Sequence, residues 1–142
     1  MEDPSDQRHT LNLRVYYEDT DAQGVVYFAN YLRFMERGRT EWLRSRGVDQ
    51  APLLREQNLC FSLIDTNIRF LRPARFDDRL AVVTSVQSVR GARIKFAQAI
   101  YRESESGELL CSAECDAACL AADTFKPRRL PPGLLNNLAE QA

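Results

Sequence analysis

The apolar period changes once, abruptly, in the first third of the chain. Leu11, Leu13, Val15 and Tyr17 alternate with Thr10, Asn12, Arg14 and Tyr16, the period-two pattern of a half-buried strand. From about Asn30 to Arg46 the period becomes helical. Tyr31, Met35, Gly38 and Trp42 fall at steps of three and four, with Phe34 and Leu43 widening the stripe. Arg33, Glu36, Arg37, Arg39, Glu41 and Arg44 occupy much of the remainder, and Gly47 suits the position just past the helix end. A long helix with so apolar a stripe needs a sheet to cover it.

Four more strands supply that sheet. Ile64, Thr66, Ile68 and Phe70 alternate with Asp65, Asn67 and Arg69, ending before Pro73 and Asp77-Asp78. Three further strands are expected at about Leu80–Val89, Arg93–Arg102 and Leu109–Ala121. Arg90-Gly91 and Ser104-Glu105-Ser106-Gly107 read as the turns of an antiparallel meander. Residues 48–60 form a connector with a short helical turn around Leu53–Gln57, and a final short helix is expected at Leu134–Gln141. The result is an α+β chain, about five antiparallel strands wrapped around one long helix. Its outer face and edges remain open to self-association.

Between the first strand and the helix lies Glu18-Asp19-Thr20-Asp21, followed by Gly24 and a short apolar run. Taken alone, such a loop is most often solvated or caps a helix. Its position allows a second reading. A carboxylate there can act as nucleophile or base, and the first N–H groups of the helix can receive a developing oxyanion. The only histidine, His9, falls in a polar stretch, residues 1–9, that reads as a disordered tail. Any reaction here must therefore run on carboxylate. A Ser-His-Asp hydrolase, the common zinc-hydrolase ligand sets and His-dependent dehydratases are all disfavoured.

Composition narrows the partners. The 142 residues fit one domain, and a net charge of −1 argues against a chain built to coat nucleic acid. MEDPSDQRH is the opposite of a secretory signal, and no apolar run approaches the ~18 residues of a membrane span. A soluble, cytoplasmic protein with no membrane span is expected. Cys111, Cys115 and Cys119 recur every fourth residue. In a strand they sit roughly 13 Å apart, too far for one metal, so they are expected to be reduced core thiols.

The run Val15–Tyr31, VYYEDTDAQGVVYFANY, resembles the 4-hydroxybenzoyl-CoA thioesterase-like branch of the hotdog family, nearest the bacterial Tol-Pal-associated acyl-CoA thioesterases. Glu36–Leu43, Arg69–Arg75 with Asp77-Asp78, and Lys126-Pro-Arg128 continue the likeness over roughly Leu13 to Pro131. It implies a hotdog domain over 10–131, with a tail at 132–142 that holds the final helix. It implies hydrolysis of acyl-CoA to free acid and coenzyme A, with no cofactor beyond the coenzyme A of the substrate. A homo-oligomer, dimer or tetramer, with sites between subunits is implied too, as is a phospholipid context.

By the same resemblance the catalytic carboxylate is Asp21, and the oxyanion donor is the backbone N–H of Phe28. Many members carry histidine at that position; Phe28 retains the backbone donor but offers no imidazole. Asp19 is then left to loop hydrogen bonding and Glu18 to solvent. Gly24 either makes a turn or lets backbone approach the thioester. Val26 and Tyr27 border the substrate, although Tyr27 and Phe28 also read as packing residues. Tyr17 and Trp42 read as core or interface aromatics. Arg90, Lys126, Arg128 and Arg129 are candidates to hold the coenzyme A phosphates, unless they are scattered surface charge. The competing reading is a non-catalytic or weakly catalytic module that binds acyl groups, acyl carrier protein or envelope-biogenesis partners.

Overall fold

The computed structural model describes residues 8–133. Five strands, β1 (Arg8–Arg14), β2 (Leu59–Phe70), β3 (Arg79–Arg90), β4 (Arg93–Arg102) and β5 (Leu109–Ala121), form one antiparallel sheet in the order β1-β3-β4-β5-β2. Helices α1 (Phe28–Ser45) and α2 (Gln50–Gln57) lie between β1 and β2 in sequence. The sheet wraps α1, giving the hotdog arrangement. The β3–β4–β5 meander matches its expected bounds to within a residue. The helix expected at 134–141 lies outside the described residues.

α1 buries the stripe its sequence marked. Tyr31, Phe34, Met35, Gly38, Trp42 and Leu43 are all buried, and Trp42 meets Phe96 of β4 edge-on at 6.0 Å. Each such fully buried large side chain stabilises by roughly 1.5–3 kcal/mol. Gly38 is required by contact. A Cβ there would stand 2.8 Å from both Thr84 Oγ1 and Val82 Cγ1, so the helix lies directly on β3. Cys111, Cys115 and Cys119 point into the same core, fully buried, as free thiols.

Two boundaries depart from expectation. β1 begins at Arg8 rather than Thr10, so His9 is not in a tail: it pairs opposite Thr84 and is half-buried. The strand also ends at Arg14, because Asp19 accepts the Tyr16 N–H at 2.8 Å and turns the chain into a single 3₁₀ turn at Tyr17–Asp19. Tyr17 therefore leaves the core. It is 77% exposed and stacks on Phe76, with ring centroids 4.0 Å apart. β2 starts at Leu59, five residues early. A register shift between Leu63 and Asp65 breaks its alternation and hides the first half from a period-two reading.

Candidate active site

The acidic loop is a small hairpin built on Asp19. That carboxylate, 8% exposed, receives the Tyr16 N–H on one oxygen and the Asn30 amide at 2.7 Å on the other, while its carbonyl receives the Tyr27 N–H at 3.0 Å. Asp19 is thus the structural carboxylate of the three, and Glu18 is exposed. Beyond it, Thr20 and Val26 form an antiparallel bridge, and the Asp21 N–H donates to Val25 O at 2.9 Å. Gly24 closes the turn at φ +78°, and its carbonyl receives the Phe76 N–H at 3.3 Å. Its observed work is the turn. Asp21 stands at the tip, exposed, with one oxygen accepting the Gln23 N–H at 2.8 Å.

The start of α1 faces the same space. The residue before the helix is Tyr27, which offers no side-chain cap, and the first turn has no acidic residue. The backbone N–H of Phe28 finds no acceptor among the described residues. Most helices cover these donors with a Ser, Thr, Asp or Asn cap. Here the Asn30 N–H turns back to Tyr27 O at 2.8 Å, while those of Phe28 and Ala29 find no acceptor among the described residues, with the partial positive charge of the helix end behind them.

A cleft of about 380 Å³ joins the two features. Asp21, Val26, Phe28, Tyr31, Phe70 and Leu71 line it, with Gln23, Val25, Arg72 and Pro73. Phe28 meets Phe70 at 5.0 Å, and Phe70 meets Tyr31 at 5.4 Å, so one side of the cleft is aromatic. The Tyr31 hydroxyl accepts the Ala74 N–H at 3.0 Å. Burial pushes its phenol above the usual range, against the lowering effect of that bond, so Tyr31 stays protonated and keeps one O–H to donate.

The opposite wall, residues 71–78, is fixed from below. Leu71 and Arg72 donate to Leu110 O, and the Val26 N–H donates to Ala74 O at 2.8 Å. Arg102 reaches Pro73 O at 2.9 Å and also binds Asp78 and Glu108. This wall was not expected from sequence as part of the site. The only available signal was the dense Arg69–Arg75 run, whose charges conceal that Phe70, Leu71 and Pro73 face the cleft.

Asp21, Val26 and Phe28 therefore line one cleft; Gly24 and Tyr27 lie on the same loop but outside its lining, and Arg90, Lys126 and Arg128 lie elsewhere. Arg90 ends β3, next to the segment after β5, where Arg128 donates to Cys119 O and Ala121 to Lys126 O. From there to Cys111, which pairs with Phe70, β5 runs about 30 Å at ~3.3 Å per residue. His9 is also distant, opposite Thr84 on β3. No group of three His, Cys, Asp or Glu that could hold a metal occurs among the described residues. Nor is any helix among them long and apolar enough to cross a membrane.

The thioesterase-like superfamily model matches residues 15–138. The chain belongs to that superfamily. As a thioesterase-like chain it is a thioester hydrolase by family. It is 43% identical over 126 residues to the acyl-CoA thioesterase YbgC of Haemophilus influenzae, covering 89% of this chain and 90% of that one. Among solved structures, a probable thioesterase from Bartonella henselae superposes with a TM-score of 0.80 at 38% identity, over 87% of this chain and 99% of that one. A 4-hydroxybenzoyl-CoA thioesterase from Pseudomonas sp. strain CBS-3 superposes with a TM-score of 0.84 over 92% of this chain and 99% of its own. At 18% identity that last likeness concerns the hotdog fold alone.

Proposed function

We propose that this thioesterase-like chain hydrolyses acyl-CoA to a free carboxylic acid and coenzyme A. One observation carries the reading: an exposed carboxylate, Asp21, and the uncapped N-terminus of α1 open into a single apolar cleft. The thioester oxygen binds the Phe28 N–H as negative charge builds on it, helped by roughly half an elementary charge at the helix end. Asp21 attacks the carbonyl carbon as nucleophile, or deprotonates a water that does. The acyl group rests against Phe28, Tyr31 and Phe70. No cofactor takes part.

The working unit in this reading is a homo-oligomer, a dimer or tetramer. Among the described residues nothing pairs with the outer edge of β2, twelve residues long, and Leu63, Ile64, Phe70 and Leu71 on or beside it are 38–49% exposed. Long apolar edges are normally covered in folded proteins. A second subunit would also bring its own Arg90, Lys126 and Arg128 toward this cleft, where they could hold the coenzyme A phosphates. A thiol-release assay over a panel of acyl-CoAs tests the proposal. Release of thiol with saturation kinetics is expected. Binding without release would favour a carrier or acyl-binding module, with acyl carrier protein as its candidate partner.

A further inference from the structure

Just past β5 the chain reverses through residues 122–125. Asn58 fixes this turn: its carbonyl receives the Ala122 N–H at 2.8 Å, and its side-chain amide donates to Asp123 at 2.9 Å. Phe125 follows, with its own N–H donated to Ala121 O at 2.7 Å and its ring 67% exposed. A single exposed aromatic is ordinary. Its backbone is not. Phe125 sits at φ +57°, in the left-handed region that a bulky residue rarely enters and that glycine enters freely. Strain of this kind persists where the surroundings impose it, and it collects at ligand clamps.

Cations follow the ring. Pro127 keeps Lys126 extended and bridges to Leu120. Lys126 O receives the Ala121 N–H, and the Arg128 N–H donates to Cys119 O, so the segment runs antiparallel to the end of β5. In that conformation Lys126 and Arg128 share one face, about 6.6 Å apart at ~3.3 Å per residue. Leu130 then meets Gly91 O at 3.5 Å, which sets Arg129 beside the Arg90–Arg93 turn. Arg90, Arg93, Lys126, Arg128 and Arg129 are all exposed, and none forms an ion pair among the described residues. Asp123, the only acid in residues 122–133, is turned to the Asn58 amide, and Arg128 acts on it only at longer range.

A flat exposed ring beside unneutralised cations fits a ligand with an aromatic plane and more than one phosphate. We propose that Phe125 stacks the adenine of coenzyme A, while Lys126 and Arg128 hold the ribose 3′-phosphate next to it and Arg90 and Arg129 the pyrophosphate. This deepens the acyl-CoA reading above and rests on it, including the second subunit that brings this end of the chain to an Asp21 cleft. The hydrogen bonds of the turn fix the backbone before the ligand arrives, so little ordering is left to oppose stacking. An acidic peptide would satisfy the cations and leave the strained aromatic without a use. Phe125 is thus a specificity residue: it favours an acyl group carried on coenzyme A over the same group on bare pantetheine, which has neither base nor 3′-phosphate.

Calorimetry with adenosine 3′,5′-bisphosphate reads the site directly on the full-length protein. Phe125→Gly is expected to weaken binding by about ten- to a hundredfold, the scale of losing one base–aromatic stack. Its urea midpoint should hold or rise, since glycine relieves the left-handed backbone. A packing role alone would lower the midpoint instead. Phe125→Trp, which keeps a stacking plane, should retain wild-type affinity. In kinetics, Phe125→Gly should lower kcat/KM for acyl-CoA relative to the matching acyl-pantetheine by the same factor, mostly through KM. A wild-type protein that fails to bind the bisphosphate at millimolar concentration, wild-type affinity in Phe125→Gly, or an unchanged ratio between the two substrates would overturn the proposal. A wild-type protein that binds the bisphosphate but hydrolyses no acyl-CoA would overturn the thioesterase reading instead, and the Phe125 variants would still report on the nucleotide site.

Discussion

The Asn30 side-chain amide donates to the buried carboxylate of Asp19 at 2.7 Å. That bond ties the first turn of α1 to the loop carrying Asp21, so the distance between the Asp21 carboxylate and the Phe28 N–H depends on two side chains that do not line the cleft. Asn30→Ala leaves Asp19 buried with one partner fewer, at a cost of about 1–3 kcal/mol. The urea midpoint and kcat are expected to fall together. An unchanged midpoint with unchanged kcat would mean that the loop is held by its backbone bonds alone.

Inside the wrapped sheet, Gln98 donates to Met35 O and to Thr84 Oγ1, both at 2.8 Å, and accepts from Arg39 at 3.1 Å. Gly38 packs directly over the same group. Gly38→Ala must displace Thr84 or Val82, and Gln98→Leu strands the Thr84 and Arg39 contacts. Each is expected to cost about 1–3 kcal/mol in equilibrium unfolding. The double variant should cost less than the two separately, since both disturb one cluster. Full additivity would contradict that coupling.

Wherever one periodicity ran unbroken, the fold was legible from the residues. The stripe from Tyr31 to Trp42 predicted α1, and β4 and β5 had the expected ends. The failures have local causes. Asp19 turns the chain at Tyr16, so Tyr17, read as a core or interface aromatic, is not in the core and stacks on Phe76 at the surface. The irregularity at Leu63–Asp65 concealed half of β2. Asp21 and Phe28, singled out by the family resemblance, sit on one loop and one helix end, and both line the same cleft. The Phe70–Pro73 wall was not, since it reaches the cleft only through pairing with β5 some forty residues on.

Burial pushes the Cys111 thiol up to about 12, with Cys115 adding to the rise, and Cys119 moves in the same direction. An unfolded chain loses these protons near 9.0. Between about pH 9 and 12 the unfolded state therefore binds fewer protons, and stability falls as pH rises. Unfolding midpoints should be flat up to about pH 8.5 and decline above it, with a shallower decline in Cys111→Ala, which lacks the titrating thiol. Equal slopes in the two proteins would contradict the assignment.

Arg102 binds Asp78, Glu108 and Pro73 O beneath the cleft wall. Arg102→Met leaves the partly buried Asp78 without its guanidinium partner. A stability loss of about 1–3 kcal/mol is expected, with a raised KM as the wall loosens. Steady-state kinetics beside thermal unfolding will show both. A normal KM in a destabilised protein would confine Arg102 to folding.

Phe28→His exchanges a side chain that packs on Phe70 but leaves the backbone donor in place. Turnover is expected to stay within about tenfold of wild type, or to rise, because the proposed oxyanion contact is to the N–H and not to the side chain. A hundredfold loss would show that the phenyl ring itself is needed.

The central claim is that Asp21 performs the chemistry. Asp21→Asn keeps the shape of the side chain and removes its charge, so binding of coenzyme A should persist. Thiol release under saturating acyl-CoA should fall by about a hundredfold or more, the scale of general-base and nucleophile losses. An Asp21→Asn protein that turns over acyl-CoA at the wild-type rate would contradict the account.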